Sequence, residues 1–384
     1  MSKRNNKVLM ISPLGYTGLA YYDYSLCQSL SKLGINIELC TSDQWILSSY
    51  KNTFKLTYTY KRCSGNVSKI IKGFHYFKAS VNVLIHAICI KASIVHFQIP
   101  EIPAIDLCLM VILKICGKKV VFTPHDIGHN KNFPLNKIIL SYIYLIVDRI
   151  IVHKKANLDT IIKEFGVNTE KIRIVPHGGY EYFVNYSITK MEARNKLGYS
   201  KDHKILLFFG NIKLDKGLEI LIKSIPLLRK EIQNIKLVIA GKACGGMTED
   251  MVRSIVEKEG VYDLVDLNFG FIPVEEIEYF YMASDIVVLP YKKVSESGVV
   301  RFAQTCGKPV VCSDLEEFKD TVFCGETGYL FKTGDQADLA LQIKTALSNE
   351  RYLQVGENAK RLMKDRYSWD KIGVVMTSIY REIL

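Results

Sequence analysis

A chain of 384 residues is long enough for two domains of ordinary size, and 48% hydrophobic with 23% charged content describes a soluble, core-forming protein. Residues 1–186 hold 23 Lys and Arg against 11 Asp and Glu, which accounts for the whole net charge of +12; the remainder balances at 28 of each. Ten cysteines are scattered without a CxxC pair or Cys/His metal spacing, and Cys108, Cys116, Cys306, Cys312 and Cys324 fall in apolar stretches, which fits a reduced cytosolic chain rather than a disulfide framework.

In chain order, KVLMIS (7–12) reads as a buried strand; its apolar run, Val8 to Ile11, is too short for a signal-peptide core. The loop PLGYTGLAYY follows, then a helix from about Tyr22 to Leu33 ending at Gly34, and a strand Ile35–Cys40. This opening is Rossmann-like, although Gly15 and Gly18 do not complete a GxGxxG. Small residues there suit either a close backbone approach to a ligand or a plain tight turn. From Lys55 to Lys91 the pattern is basic and aromatic, with Lys69, Lys72 and Lys78 among Ile70, Ile71, Phe74, Tyr76 and Phe77. One or more amphipathic helices are expected, suited either to an anionic lipid surface or to simple solvation; no recognition-helix or zinc-finger spacing points to nucleic acid. No run reaches the roughly 18 apolar residues of a membrane span, since the nearest, Ile102–Cys116, contains Asp106 and Lys114.

Strands Ile94–Phe97 and Lys119–Phe122 flank a helix around Ala104–Cys116, and the second strand runs into Thr123-Pro124-His125-Asp126. His125 thus falls at the carboxyl end of a parallel strand, where open α/β sheets bind ligands, although a lone histidine is more often structural. Helix Leu135–Val147, strand Arg149–His153, helix Lys155–Phe165 and strand Ile172–Val175 complete the half. The turn-rich PHGGYEYFVNY (176–186) reads as a hinge where the charge balance changes.

The alternation restarts with KILLFFGNIKLDKGLEILIKSIPLL (204–228): a strand Ile205–Phe209, a polar glycine turn, and a helix with Leu218, Leu221, Ile222, Ile225 and Leu228 at helical spacing. A helix start carrying Lys213 and Lys216 suits an anion, because free N–H groups and the dipole add to two full charges; an ordinary loop with two solvated lysines has the same pattern. Strands Lys236–Ala240, Val265–Phe269, Ile286–Leu289 and Pro309–Cys312 follow, with helices Glu249–Glu259, Val274–Ala283, Val299–Cys306 and Ala337–Leu347. In YKKVSESGV (291–299), the N–H groups of Ser297, Gly298 and Val299 and the hydroxyls of Ser295 and Ser297 could hold phosphate, while Glu296 could accept hydrogen bonds from sugar hydroxyls or cap the helix. Two βαβ domains joined by a hinge enclose a ligand in their cleft. The final helix carries Trp369, Ile372, Val375 and Ile379 as its expected packing face.

Several of these segments resemble glycosyltransferases of family GT4. FFGNIKLDKGLEILIKS is similar to the family's FxGxIRxYKGLDxLIEA, VPHGGYEYF with KMEARNKLG to IPHGxY…ARxxLG, and VVLPYKKVSESGVVRFAQTCGKPVV to VVLPYxxxxxSGxxxxAxxxGKPVV. IVHFQIP and TPHD match N-terminal cleft motifs more loosely; the likeness spans nearly all of residues 90–384 and is weak over 20–90.

The resemblance implies an α/β protein of GT-B fold: an acceptor-binding Rossmann-like domain (1–180), a nucleotide-sugar-binding one (181–366) facing it across a central cleft, and a helix (367–384) crossing back to the first. It implies Gly15, Lys213, Lys216, Ser297, Gly298 and Val299 on the donor diphosphate, Phe271 and Ile272 at the base, and His125, Asp126 and Glu296 at the chemistry. No cofactor or metal is expected beyond the nucleotide-diphosphate sugar. The sequence departs from the family at two points: Lys213 replaces the usual Arg, and the Glu-x7-Glu motif is replaced by Val294 and Phe302, which cannot hydrogen-bond a ribose. The expected activity is hexosyl transfer from a UDP- or GDP-type donor to a glycan, lipid-linked, in capsule, O-antigen or exopolysaccharide assembly. The expected location is the cytoplasm, peripheral at the inner membrane face, with the basic N-terminal half on anionic lipid and no nucleic-acid partner. A sugar-nucleotide epimerase and a non-catalytic nucleotide-sugar binder are the alternatives.

Overall fold

The computed structural model describes residues 7–63, 68–125, 134–294, 297–348 and 352–384. The chain divides into two units, Met1–Gly178 with Tyr367–Leu384, and Gly179–Arg366. The first unit runs β1 (Lys7–Ser12), α1 (Leu19–Lys32), β2 (Asn36–Ser42), β3 (Lys55–Tyr60), α2 (Lys69–Cys89), β4 (Ile94–Phe97), α3 (Pro103–Ile115), β5 (Lys119–Phe122), α4 (Pro134–Ile146), β6 (Arg149–Val152), α5 (Lys155–Phe165) and β7 (Ile172–Ile174). The second runs α6 (Lys190–Leu197), β8 (Lys204–Phe209), α7 (Leu218–Arg229), β9 (Ile235–Gly241), α8 (Glu249–Lys258), β10 (Val265–Phe269), α9 (Val274–Ala283), β11 (Ile286–Leu289), α10 (Gly298–Thr305), β12 (Val310–Ser313), β13 (Tyr329–Phe331), α11 (Gln336–Ser348) and α12 (Tyr352–Arg366). Helix α13 (Trp369–Ile383) belongs to the first unit.

Both sheets are parallel, in the orders β3-β2-β1-β4-β5-β6-β7 and β10-β9-β8-β11-β12-β13. Strands such as Val8–Ile11 and Ile286–Leu289 are apolar and fully buried because helices cover both sheet faces. Right-handed crossovers put α2 to α5 on the face opposite α1; accordingly α2 meets α3 and α3 meets α4, whereas α13 returns to α1. In each sheet the chain first builds outward on one side and then restarts on the other. The reversal falls between β1 and β4 in the first unit and between β8 and β11 in the second, and ligands of such sheets bind beyond the strand ends at that point.

Helix α13 is locked by close contacts. Ser29 Oγ donates to the Trp369 carbonyl at 2.6 Å, Tyr380 OH lies 2.6 Å from His96 Nδ1, and Arg173 pairs with Glu382 at 2.9 Å. Its buried face is Trp369, Ile372, Met376, Ile379, Tyr380 and Ile383. Val375, expected on that face, is 44% exposed, since Met376 one position on completes the i, i+4, i+7 stripe from Ile372.

Other expectations are corrected. Lys55–Tyr60 is an edge strand and not helix, because the alternating KLTYTY pattern pairs with β2. Lys69–Cys89 is one helix, and its Tyr76 is buried rather than displayed with Phe74 and Phe77. Strand β13 and helices α6 and α12 were not expected as elements. Cys108, Cys116 and Cys324 are exposed despite apolar neighbours in sequence, and all ten cysteines are free.

A Cβ at Gly373 would stand 2.0 Å from Ser29 Oγ and 3.1 Å from Leu33 Cδ1. Gly373→Val therefore lowers stability by about 1–3 kcal/mol, as overpacking does. Denaturant unfolding measures it, and an unchanged midpoint would mean that α13 does not dock on α1 as described.

Candidate functional site

In the second unit the reversal point joins two loops. After β8 the chain turns through Gly210–Ile212 into a tight helical turn at Leu214–Lys216 and reaches Gly217, whose φ of +62° starts α7 without a side-chain cap. The first N–H groups of α7 are thus left for solvent or a ligand. A Cβ on Gly217 would lie 1.9 Å from the Pro290 carbonyl oxygen, so this loop and the one after β11 touch backbone to backbone. The Asp215 carbonyl accepts the Lys292 N–H at 2.8 Å, and Lys292 Nζ pairs with Glu219 at 2.5 Å.

Lys216 lies in that junction, its ammonium 3.7 Å from the centre of the Tyr291 ring. Burial pulls its pKa down to about 8; Asp215 opposes the shift and Lys213 adds to it. Lys213 sits three residues earlier, its stem against Gly245. Tyr291 is buried; burial raises its pKa, and a hydrogen bond with Ser297 partly offsets that. Ser297 is the N-cap of α10, accepting from the Val300 N–H at 3.5 Å, so the helix begins at Gly298, one residue before the expected start. The Tyr180 hydroxyl stands where a Cβ on Gly298 would be, 2.3 Å away. The structure therefore brings together Lys213, Lys216, Ser297, Gly298 and Val299, and adds Tyr180 and Tyr291. Phe271, 68% exposed, and Ile272 lie in the loop after β10, whose Gly270 N–H bonds the Gly241 carbonyl at the end of β9. Ser295 and Glu296 lie outside the described residues.

In the first unit, Gly15 follows β1. A Cβ there would meet Thr41 Oγ1 at 2.5 Å and the Trp45 ring at 2.9 Å, so packing against the end of β2 already requires a small residue. Gln98 directly follows β4, His125 follows β5 after Thr123 and Pro124, and Asp126 lies outside the described residues.

The hydrogen bonds around His125 couple its tautomer to His153. His153 Nδ1 lies 2.9 Å from the Val175 carbonyl, an acceptor only, and so carries a proton. With His153 singly protonated, its Nε2 accepts from His125 Nδ1 at 3.2 Å. That leaves His125 Nε2 unprotonated, 2.9 Å from the Gln98 amide. The amide must present its NH2 group to the ring, an orientation that also gives the buried, otherwise unpartnered Gln98 nitrogen its acceptor. Tyr22 packs edge-on at 4.6 Å. Burial pushes the pKa of His125 well below the ordinary value, with His153, His177 and His96 acting the same way. Such a ring is a neutral, rigidly held hydrogen-bonding group. Sequence reasoning missed Gln98 and His153, although both stand at carboxyl ends of recognisable strands.

Comparison with known proteins adds the family. The profile of the glycosyl transferases group 1 family matches residues 189–362, and that of glycosyltransferase family 4 matches 16–178. Together these matches support a GT4-type glycosyltransferase. An uncharacterized glycosyltransferase of Methanocaldococcus jannaschii is 26% identical over 237 residues, 61% of this chain and 60% of that one, so the chain spans about three fifths of the length of the curated relatives it matches. Sucrose-phosphate synthase from Thermosynechococcus elongatus superimposes with a TM-score of 0.78 at 17% identity, covering 98% of this chain and 99% of the other. Anabaena HepE in complex with UDP and glucose does so with 0.77 at 16%, covering 98% and 100%. These solved structures are GT-B proteins and identify the fold of this GT4-type chain as GT-B.

Phe302, which the resemblance sets at the second Glu of the Glu-x7-Glu motif, is buried, its ring 5.2 Å from Tyr180 and 4.5 Å from Tyr281. The position is filled by an aromatic stack.

His125 should stay neutral as the pH falls from 8 through its ordinary range near 6.5. An NMR titration of the histidine ring protons, assigned with His125→Gln, tests this; a midpoint near 6.5 would overturn the buried, neutral network.

Proposed function

We propose that this protein transfers a hexosyl group from a UDP- or GDP-type sugar nucleotide to a lipid-linked glycan in capsule, O-antigen or exopolysaccharide assembly, working in the cytoplasm at the inner membrane face. The observation that carries the reading is the joined pair of loops at the second sheet's reversal point, which gathers two lysines and two helix N-termini. HepE, of the same fold, is a protein solved with UDP and glucose.

In this reading the second unit holds the donor. Lys213 and Lys216 neutralise the diphosphate, and the N–H groups of Ser297, Gly298 and Val299 bond its oxygens. Phe271 and Ile272 border the base. Stabilising the departing nucleoside diphosphate is the main catalytic demand, and these groups meet it with fixed charge, so no metal or cofactor is required. Gly15 faces the diphosphate, neutral His125 bonds the transferring sugar, and Asp126 and Glu296 are the carboxylates available to the reaction. The first unit takes the acceptor, and its basic surface rests on anionic lipid.

The first test is a thermal-shift screen with UDP, GDP, ADP, CMP and dTDP in EDTA. One nucleoside diphosphate should raise the midpoint through binding linkage; no shift with any of them would overturn the donor assignment. Transfer lost in EDTA and restored by Mg²⁺ would overturn the metal-free part.

Lys216→Met should weaken that nucleotide by about 1.5–3 kcal/mol, as loss of a charge-assisted phosphate contact does. In the unmodified protein, affinity should be level below pH 8 and fall as the pH rises from 8 to 9. In the nucleotide-free protein burial pulls the Lys216 pKa down to about 8, and only its charged form attracts the diphosphate. Calorimetry across pH 7–9 reads both; the same pH profile before and after substitution would remove Lys216 from the contact.

A further inference from the structure

The helix α2 has two unlike flanks and an apolar crest. On its crest Ile70, Phe74, Phe77, Val81, Ile85 and Ile88 are all exposed, from 39% for Val81 to 86% for Ile70. The neighbouring helices continue the pattern: Ile112 and Ile115 on α3 are exposed, as are Leu135, Ile138 and Leu145 on α4. A soluble domain rarely leaves so broad an apolar face bare. Between α2 and α3 runs a groove of about 240 Å³ lined by Phe77, Val81, Leu84, Ile105, Cys108 and Ile112.

The opposite flank of α2, against the edge strand β3, is a basic pocket of about 490 Å³. Its walls include Lys61, Arg62, His75, Lys78 and His86, with Tyr58 and Asn82. Among the described residues Lys61, Arg62 and Lys78 have no ion-pair partner. Glu38, bonded to the pocket-lining His86, is already neutralised: it is fully buried, 2.6 Å from His86, with Lys7 and Lys55 each at 3.2 Å. Among the described residues the pocket therefore presents three cations without an ion-pair partner beside an apolar crest.

We infer that the pocket between β3 and α2 is a phosphate site, and that its occupant is the phosphate head group of an anionic lipid whose hydrocarbon lies over the crest of α2 toward the groove with α3. The inference rests on the membrane-docked reading above and gives it an address. Charge complementarity selects the phosphate, and the continuity of pocket and crest on a single helix selects a lipid over a free anion. A protein partner would need no hydrocarbon-lined groove adjoining a cation cluster. The crest enters the interface as an amphipathic helix does, with the cations at head-group depth.

The test is vesicle co-sedimentation of the full chain at low salt, using phosphatidylcholine alone, phosphatidylcholine with phosphatidic acid, and phosphatidylcholine with oleate matched in surface charge. The unmodified protein should prefer phosphatidic acid over oleate. The variant Lys61→Gln/Arg62→Gln/Lys78→Gln should lose that preference, with a weakening of phosphatidic-acid binding of roughly 100-fold, about fivefold per cation. These are surface side chains, so its circular dichroism and melting midpoint should match the parent. Phe74→Ser/Phe77→Ser should bind all vesicles less while keeping the preference. If the unmodified protein binds phosphatidic acid and oleate vesicles equally and the triple variant is unchanged, the head-group site is overturned while the membrane reading stands. If no vesicle is bound, the membrane reading fails. If no vesicle is bound but inorganic phosphate raises the melting midpoint of the parent and not of the triple variant, the pocket takes a free anion and the lipid assignment is overturned.

Discussion

The candidate donor site depends on one steric constraint: at position 217 there is no room for a side chain. The Pro290 carbonyl occupies the space a Cβ would need, and the backbone there adopts a left-handed conformation. Because the two loops can close to that distance, Asp215 can accept the Lys292 N–H, and the ring of Tyr291 comes beneath Lys216. Tyr291 in turn bonds Ser297, which caps α10. The exposed part of this assembly, the Glu219–Lys292 pair, contributes little by itself, since surface ion pairs are screened and entropically costly. Backbone approach, and not that pair, sets the geometry.

Both units repeat one topology and differ in what they place at the reversal point. The second offers mobile protons and full charge on lysines, with two helix N-termini. The first offers a chain of imidazoles and an amide, each with its donor and acceptor roles coupled to the next. A carbonyl at Val175 determines the tautomer of His153, which determines that of His125, which determines which end of Gln98 faces it. His125, held neutral by burial, suits a polar, uncharged group such as a hydroxyl.

Much of the fold could be read in the sequence because fully buried parallel strands are short unbroken apolar runs between helical periods. Ile94–Phe97, Lys119–Phe122, Lys155–Phe165, Val265–Phe269 and Val274–Ala283 coincide with observed elements to the residue. Strand β3 escaped because only one edge of it is paired and its basic, aromatic neighbours suggested a helix. The lysines and the Ser297 turn were legible as a strand–turn–helix pattern. Tyr180, Tyr291, Gln98 and His153 were not, because their roles arise from contacts between segments 27 to 125 residues apart. The apolar crest of α2 was legible as composition but not as exposure: Tyr76 and Phe77 are adjacent in sequence and face opposite environments.

Lys216 ties these arguments together. An ammonium that is partly withdrawn from water pays in solvation for its charge, which is why its pKa falls toward neutrality even with Asp215 beside it. The aromatic face of Tyr291 returns part of that cost without supplying a counter-charge. Among the described residues no carboxylate forms an ion pair with this ammonium, and a diphosphate is the kind of group that would supply the missing charge. A carboxylate at 291 in place of the ring would satisfy the lysine permanently and leave it with nothing to gain from an anion. A ring holds the cation in position while keeping its charge available, and the same logic explains why the neighbouring Lys292, already paired with Glu219, is the less suitable group for that role.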